Sequence, residues 1–418
     1  MFSYILKILN SYAFFKTNSV LIIVLRRRLK TLSINIDKEL ISIFRKQINT
    51  EFFSEKFKNV NGKNHWNIIC SAMDWITIAA EGLPSINVEP KGFGYDHLDT
   101  LNLMQYIITM DVMVDSINQL FRVIEGINKT KDLPLADDRT IFKQTKLSDY
   151  DYFKHIRAVF STHPVNLTSV DGVPNNTGER FYASWVAKNS LDGDYYVFLY
   201  SNNPEKDEQI PFDIKVRDLN LYGKKRYNLL NILIEKVKKI RQEHINLYKQ
   251  SSIPTLSNPI EQLEVLYEEN RKRFGYRYGY VAEINYIYIS LKICTTLISE
   301  TYFQDIINEY KSYLKSLIPI ILDGLQNMKK DRYSLLELFW TEYEFEKIYQ
   351  YFYDGVHPLG KEYLKILSKT KPFPAVLATT EDINLKRLIV DAFLYKEFRK
   401  KGKPISFQEI IRLSKENT

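Results

Sequence analysis

Residues 149–167, DYDYFKHIRAVFSTHPVNL, decide the fold of the first half of this chain. Phe153, Ile156, Val159 and Phe160 recur at helical spacing, which predicts an amphipathic helix. On an ideal helix Arg157 falls at the edge of the apolar stripe and His163 within it. Pro164 pushes the residue before it out of the α region, so His163 is expected at the helix end. His155 lies on a different part of the helix surface and is expected to be exposed. An arginine, five intervening residues and a helix-terminal histidine combine fixed positive charge with a side chain that exchanges protons near neutral pH.

Upstream of this stretch, residues 34–57, 66–81 and 97–125 carry the helical period; Gly82 and Pro84 end the second of these. Downstream the period changes. Residues 181–186 and 195–200 are short β-rich runs joined by a link containing Asp192-Gly193, a hairpin signal. Residues 212–219, FDIKVRDL, alternate apolar and charged and predict a third strand. A helix is expected over 227–248, then a linker at 251–259 with two prolines. Beyond Ile260, helices are expected over 261–273, 281–300, 303–330, 334–353, 359–367, 384–400 and 406–415, with Pro319 kinking or breaking one of them. The expected fold is mainly α: a helical bundle over 33–250 with a small antiparallel β insertion at about 180–220, then a second all-α domain over 258–418.

The Arg157…His163-Pro164 spacing, on the third helix of a bundle and behind the basic Lys154, resembles the Arg-x4–6-His signature of the HEPN superfamily over residues 64–248. That superfamily consists of small helical bundles, many of them metal-independent endoribonucleases. The resemblance implies attack of an RNA 2′-hydroxyl on its neighbouring phosphate. His163 would act as general acid or base or orient the hydroxyl, and Arg157 would stabilise charge developing on the phosphate. It further implies RNA as partner, a homodimer that builds the site, no metal or other cofactor, and a role as a toxin or in prokaryotic anti-phage defence. An antitoxin or a phage-derived trigger would be a further partner. Ala158 stands directly after the arginine, where members often carry a polar residue. This motivates the alternative of a non-catalytic HEPN-like module that binds RNA or protein.

The plainer reading of the pair is a surface arginine in an ion pair and a histidine complementing a helix C-terminus or buried in the core. Lys154 and Asn166 add candidate phosphate contacts, or are solvated. Arg180 opens the run RFYASWV, where Tyr182 and Trp185 suit base stacking beside a positive charge, or core and cross-strand packing. Arg271, Lys272, Arg273 and Arg277 interleave with Phe274, Tyr276, Tyr278 and Tyr280, a pattern that suits single-stranded nucleic acid and equally a solvated interhelical loop. The runs Lys224–Arg226 and Arg399–Lys403 read as solvated charge.

A length of 418 residues, 45% of them hydrophobic, suffices for a sizeable core and argues against wholesale disorder. The net charge of +8 mildly favours an anionic partner. Cys70 and Cys294, each expected inside an apolar helix, give neither a disulfide scaffold nor a CxxC metal motif, which fits a reducing, cytoplasmic setting. Residues 1–32 hold two short apolar runs, the longer of them Val20–Leu25, too short for a stable membrane span. They read as a surface helix, a weak anchor or an over-long start. There is no Walker phosphate loop, dinucleotide fingerprint, GxSxG or HExxH. ATPase, dehydrogenase, serine-hydrolase and zinc-protease readings are therefore set aside. His357-Pro358 reads as a turn, and Glu337, Glu342, Glu344 and Glu346 as a solvated helix face.

Overall fold

A computed structural model describes residues 33–143, 145–173, 178–206, 208–330, 335–336 and 338–416. The readings of residues 1–32 lie outside them. The chain divides into two compact units, Met1–Ile240 and Arg241–Thr418.

In the first unit the expected helix over 34–57 is two helices, α1 (Glu39–Ile48) and α2 (Glu51–Lys58). Thr50 between them is extended, at φ −131° and ψ 154°, which breaks the helical path. Helix α3 (His65–Gly82) starts where the Asn64 side chain accepts from the amide of Asn67. Helix α4 (His97–Glu125) starts where Asp96 accepts from the amides of Leu98 and Asp99, and it ends at Gly126 in the left-handed region. Those caps stand in the sequence as plain residue types, and α4 has the bounds the sequence predicts.

Helix α5 (Asp149–Arg157) begins at a Ser148 cap and continues as a π-turn, Ala158–Thr162. Asp149 is fully buried, and its carboxylate accepts from the amides of Thr140, Ile141 and Phe142 at 3.0–3.2 Å, which fixes the preceding loop on the helix start.

The sheet is antiparallel throughout: β1 (Gly94–Tyr95), β2 (Phe181–Ala183), β3 (Ala187–Lys188), β4 (Tyr195–Ser201) and β5 (Ile210–Ile214). β2 and β3 lie end to end along one side of β4, and β5 lies along the other. The single strand expected over 181–186 is interrupted at Ser184. There the hydroxyl oxygen accepts from the Phe198 amide at 2.9 Å, while the Ser184 amide donates to the Phe198 carbonyl at 2.8 Å. The strand expected over 212–219 stops at Ile214, because Val216, Leu219, Tyr222 and Tyr227 have helical spacing and build α6 (Val216–Tyr227). The Asp194 carboxylate accepts from the Val216 amide at 2.9 Å.

Helix α7 (Leu230–Gln250) comes next. The basic run before it is not all solvated. Arg226 is buried, donates to the carbonyls of Pro134 and Leu135 at 3.2 and 2.8 Å, and lies over the rings of Tyr150 and Tyr222. Leu135 has φ +63°, an uncommon conformation for a leucine, and the guanidinium holds its carbonyl there.

The second unit is helical: α8 (Pro259–Phe274), α9 (Val281–Lys292), α10 (Thr301–Gln326), α11 (Tyr343–Asp354), α12 (Pro358–Ser368), α13 (Val376–Thr379), α14 (Ile383–Lys401) and α15 (Phe407–Glu416). Pro319 does not end α10. Asp391 is the buried polar centre: it accepts from the hydroxyls of Tyr286 and Tyr349, and Arg387 stacks on Tyr286 at 4.2 Å. Burial pushes the Asp391 carboxyl pKa up, against the opposing pull of Arg387 and the two hydroxyls. Cys294 is exposed just past α9 rather than inside a helix. His357 is the cap of α12, its Nδ1 accepting from the Gly360 amide. Among the described residues no helix is long and apolar enough to cross a membrane.

Phe153 fills the joint between α5 and α6; it is fully buried and stacked on Tyr222 with ring centroids 4.4 Å apart. Phe153→Ala is expected to cost about 3–5 kcal/mol. Urea unfolding checks this, and an unchanged midpoint would contradict the packing described.

Candidate functional site

Arg157 closes α5 with Phe153 and Ile156 directed into the core, which leaves its own side chain at the boundary, 30% exposed. Its Nη1 donates to Asp111 of α4. Lys154, one turn earlier, donates to the other Asp111 oxygen at 2.7 Å and to Asp115 at 3.0 Å. Asp111 is buried, in line with Leu103, Ile107 and Val114 on the apolar face of α4. A carboxylate there requires cations, and the neighbouring helix supplies two. Burial works to lower the Lys154 pKa, but the hydrogen bonds and charges of Asp111 and Asp115 win, and the pKa is raised. Arg157 Nε is buried and has no hydrogen-bond partner among the described residues.

After Arg157 the chain makes the π-turn, in which the His163 amide reaches back five residues to the Ala158 carbonyl at 2.9 Å. Such turns widen a helix by one residue and recur at functional sites. The Arg157 carbonyl meanwhile accepts from the Ser161 hydroxyl at 2.7 Å. His163 leaves the helix at φ −139° and ψ 39°, exposed, and its imidazole has no hydrogen-bond partner among the described residues. The turn after it is pinned to the sheet. The Ala183 amide donates to the Pro164 carbonyl at 2.7 Å, and Leu167 and Phe181 exchange amide bonds of 2.9 and 3.0 Å. Arg180 and Tyr182, which flank Phe181, therefore border the His163–Leu167 turn. Asn166 and Arg180 are both exposed, and their side chains have no partner among the described residues.

Three expectations of position change. His155 is buried rather than exposed. Its Nε2 lies 3.1 Å from the Val170 carbonyl, and its ring stands edge-on to Phe212 at 5.2 Å. Gly172, at φ +86°, makes room for it: a Cβ there would meet the His155 Cβ at 3.0 Å and Leu147 closer still. Trp185 is neither core nor a direct cross-strand partner but 72% exposed, beside the Tyr95 ring at 5.8 Å. Arg273 lies inside the second unit and not on a basic face. Its guanidinium donates to the Tyr248 and Ser251 carbonyls and to Glu269, and the His244 ring meets its backbone carbonyl. Of its neighbours, Arg271 stacks on Tyr276 at 4.6 Å and pairs with Glu268, while Arg277 is exposed with Tyr276 and Tyr278.

Sequence reasoning missed Asp111, Asp149 and Arg226. For Asp111 the signal was present, as an acid standing in register with the apolar stripe of α4. Among the described residues no group of three or more His, Cys, Asp or Glu side chains is placed to hold a metal ion. No family model, curated protein or solved structure matches this chain.

Two outcomes are expected from this geometry. Burial holds the His155 pKa below its ordinary 6.5. The unfolded chain then binds the proton more readily than the folded one. This histidine's contribution to stability is accordingly full above about pH 6.5 and is lost as pH falls towards the depressed folded pKa. Proton NMR of the ring checks it, and titration of His155 at or above 6.5 would sink the claim. Asp111→Ala leaves two cations without their shared carboxylate and is expected to cost about 3 kcal/mol. That is the low end for a broken buried pair, because water reaches Lys154 and Arg157. Asp111→Asn should cost less, and chemical denaturation compares the two.

Proposed function

We propose that the first unit is a metal-independent endoribonuclease of the HEPN-like kind. It cleaves RNA in the cytoplasm, as a toxin or in prokaryotic anti-phage defence. The observation that carries this reading is an arginine fixed by a buried carboxylate and followed, one π-turn later, by an exposed histidine whose ring has no hydrogen-bond partner among the described residues.

The chemistry rests on the two side chains. Neutral His163 takes the proton of a ribose 2′-hydroxyl as its oxygen attacks the adjacent phosphorus. The new O2′–P bond forms as the P–O5′ bond breaks, leaving a 2′,3′-cyclic phosphate and a 5′-hydroxyl. Arg157 faces the charge that gathers on the phosphoryl oxygens, and Asp111 keeps its guanidinium from swinging away. The departing O5′ needs a proton at the moment the 2′-hydroxyl loses one. Each chain brings one His163, so a second copy of the chain supplies the second imidazole in a homodimer.

One observation favours the alternative of a non-catalytic RNA-binding module: both cations of the cluster already have carboxylates. Lys154 is held by Asp111 and Asp115, and Arg157 by Asp111, so a phosphate must compete for them.

Incubation of the full chain with single-stranded RNA in EDTA decides between them. The nuclease reading expects 2′,3′-cyclic ends, no cleavage at a 2′-deoxy position, and a loss of about 10²–10⁴-fold in rate for His163→Ala. Arg157→Lys keeps a cation for Asp111 but not the planar fork, and should lose most of the rate while staying folded. Undiminished cleavage by His163→Ala would remove the pair as the site. RNA bound but left intact by wild type, even at high concentration, would select the binding module.

A further inference from the structure

β4 divides its side chains cleanly between two faces. Tyr195, Val197 and Leu199 are buried, whereas Tyr196, Phe198 and Tyr200 alternate with them on the opposite face and are partly or well exposed. In the antiparallel register Tyr182 of β2 stands directly opposite Tyr200, and the two are 38% and 40% exposed. Opposed residues share a face, so Tyr182, Tyr200, Phe198 and Tyr196 form one continuous aromatic row on the outer face of the sheet. At the interruption the Ser184 hydroxyl takes over the ladder bond to Phe198, and Trp185, the next residue, is exposed with its ring 5.8 Å from that of Tyr95.

We infer that this row is a stacking platform for the unpaired bases of single-stranded RNA, an inference that rests on the nuclease reading and names the form of its substrate. Three features select this occupant. Three of the four rings are tyrosines, which present a π-face to any base while the hydroxyl stays in water. Arg180, two residues before Tyr182, is exposed and its side chain has no carboxylate partner among the described residues, a contact for the phosphate backbone. Finally, Tyr182 lies between the Phe181 and Ala183 amides that bind the His163–Leu167 turn. An RNA strand whose base rests on Tyr182 would thus lie at the β-strand to which the turn following His163 is fastened. Double-stranded RNA keeps its bases stacked within the helix and cannot use the row.

The test measures binding of a fluorescent 2′-O-methyl RNA oligomer, which cannot be cleaved, by fluorescence anisotropy with the full chain. Tyr182→Ala and Tyr200→Ala should each weaken binding about 5- to 100-fold, while Tyr182→Phe stays near wild type. Arg180→Ala should lower the slope of log affinity against log salt by about 0.7. The duplex of the same sequence should bind more weakly than the single strand.

Unchanged affinity in both alanine variants, or no binding of the single strand by wild type, overturns the platform. So does a result in which Tyr182→Ala breaks a dimer and leaves RNA affinity intact, which would make this face a contact between copies of the chain. The two readings fail separately. Cleavage of natural RNA with an unaltered KM in Tyr182→Ala would keep the nuclease and remove the platform. Platform-dependent binding without cleavage would do the reverse.

Discussion

A carboxylate in the apolar stripe of α4 sets the conditions for the candidate site. Asp111 needs partners there, since burying a lone charge costs several kcal/mol. Lys154 and Arg157 satisfy it from one face of α5, at i and i+3, where helical side chains fall together. The ion triad fixes the rotation of α5 against α4. That rotation in turn directs Phe153 and Ile156 into the core and leaves the Arg157 side chain 30% exposed at its edge. The same feature couples stability to the proposed function. Replacing Arg157 by alanine would strip Asp111 of a partner and weaken the unit whether or not the arginine touches RNA. Only a substitution that keeps the charge separates the two effects.

Much of the helical framework was legible because its signals are local. Asp96 and Gly126 bracket α4 as residue types alone, and Phe153, Ile156, Val159 and Phe160 mark the buried face of α5. The failures have physical causes. FDIKVRDL alternates over too few residues to distinguish period 2 from the helical spacing that continues through Tyr222 and Tyr227. Arg226 and Arg273 sit in basic runs and read as exposed, the first as solvated charge and the second as a nucleic-acid contact or part of a solvated loop. Each is buried because backbone carbonyls far away in sequence converge on its guanidinium: Pro134 and Leu135 for one, Tyr248 and Ser251 for the other. No composition of neighbouring residues announces such partners. Arg273 also explains why the first unit gives way to the second upstream of the proline-containing linker. It ties the last turns of α7 to α8, so those turns belong to the second unit.

The strands show the same limit. A β-rich run placed Tyr182 and Trp185 in one strand but could not say whether the second face of the sheet is covered. The inner face is closed by α5, where His155, Tyr152 and Phe160 surround Phe212. The outer face keeps its aromatics partly in water, and the ladder bond taken by the Ser184 hydroxyl, just before the exposed Trp185, is not a periodic feature.

The contrast between the two histidines of the α5 segment gives the most specific account of the site. On an ideal helix His163 would join Ile156, Val159 and Phe160 in the apolar stripe. His155 would stand away from it. The structure reverses both. The π-turn inserts an extra residue into the last turn, so the helix arrives at His163 out of register with its buried face, and Pro164 prevents it from continuing. His155 is covered instead by the 167–173 segment, where Gly172 brings the backbone against its Cβ and Val170 presents a carbonyl to its ring. One imidazole is thereby made a neutral core group. The other is left in water on a turn that three backbone hydrogen bonds fasten to β2. The deviation from regular helix carries a geometric cost, and it leaves exposed a histidine that regular α geometry over the same residues would have turned towards the apolar stripe.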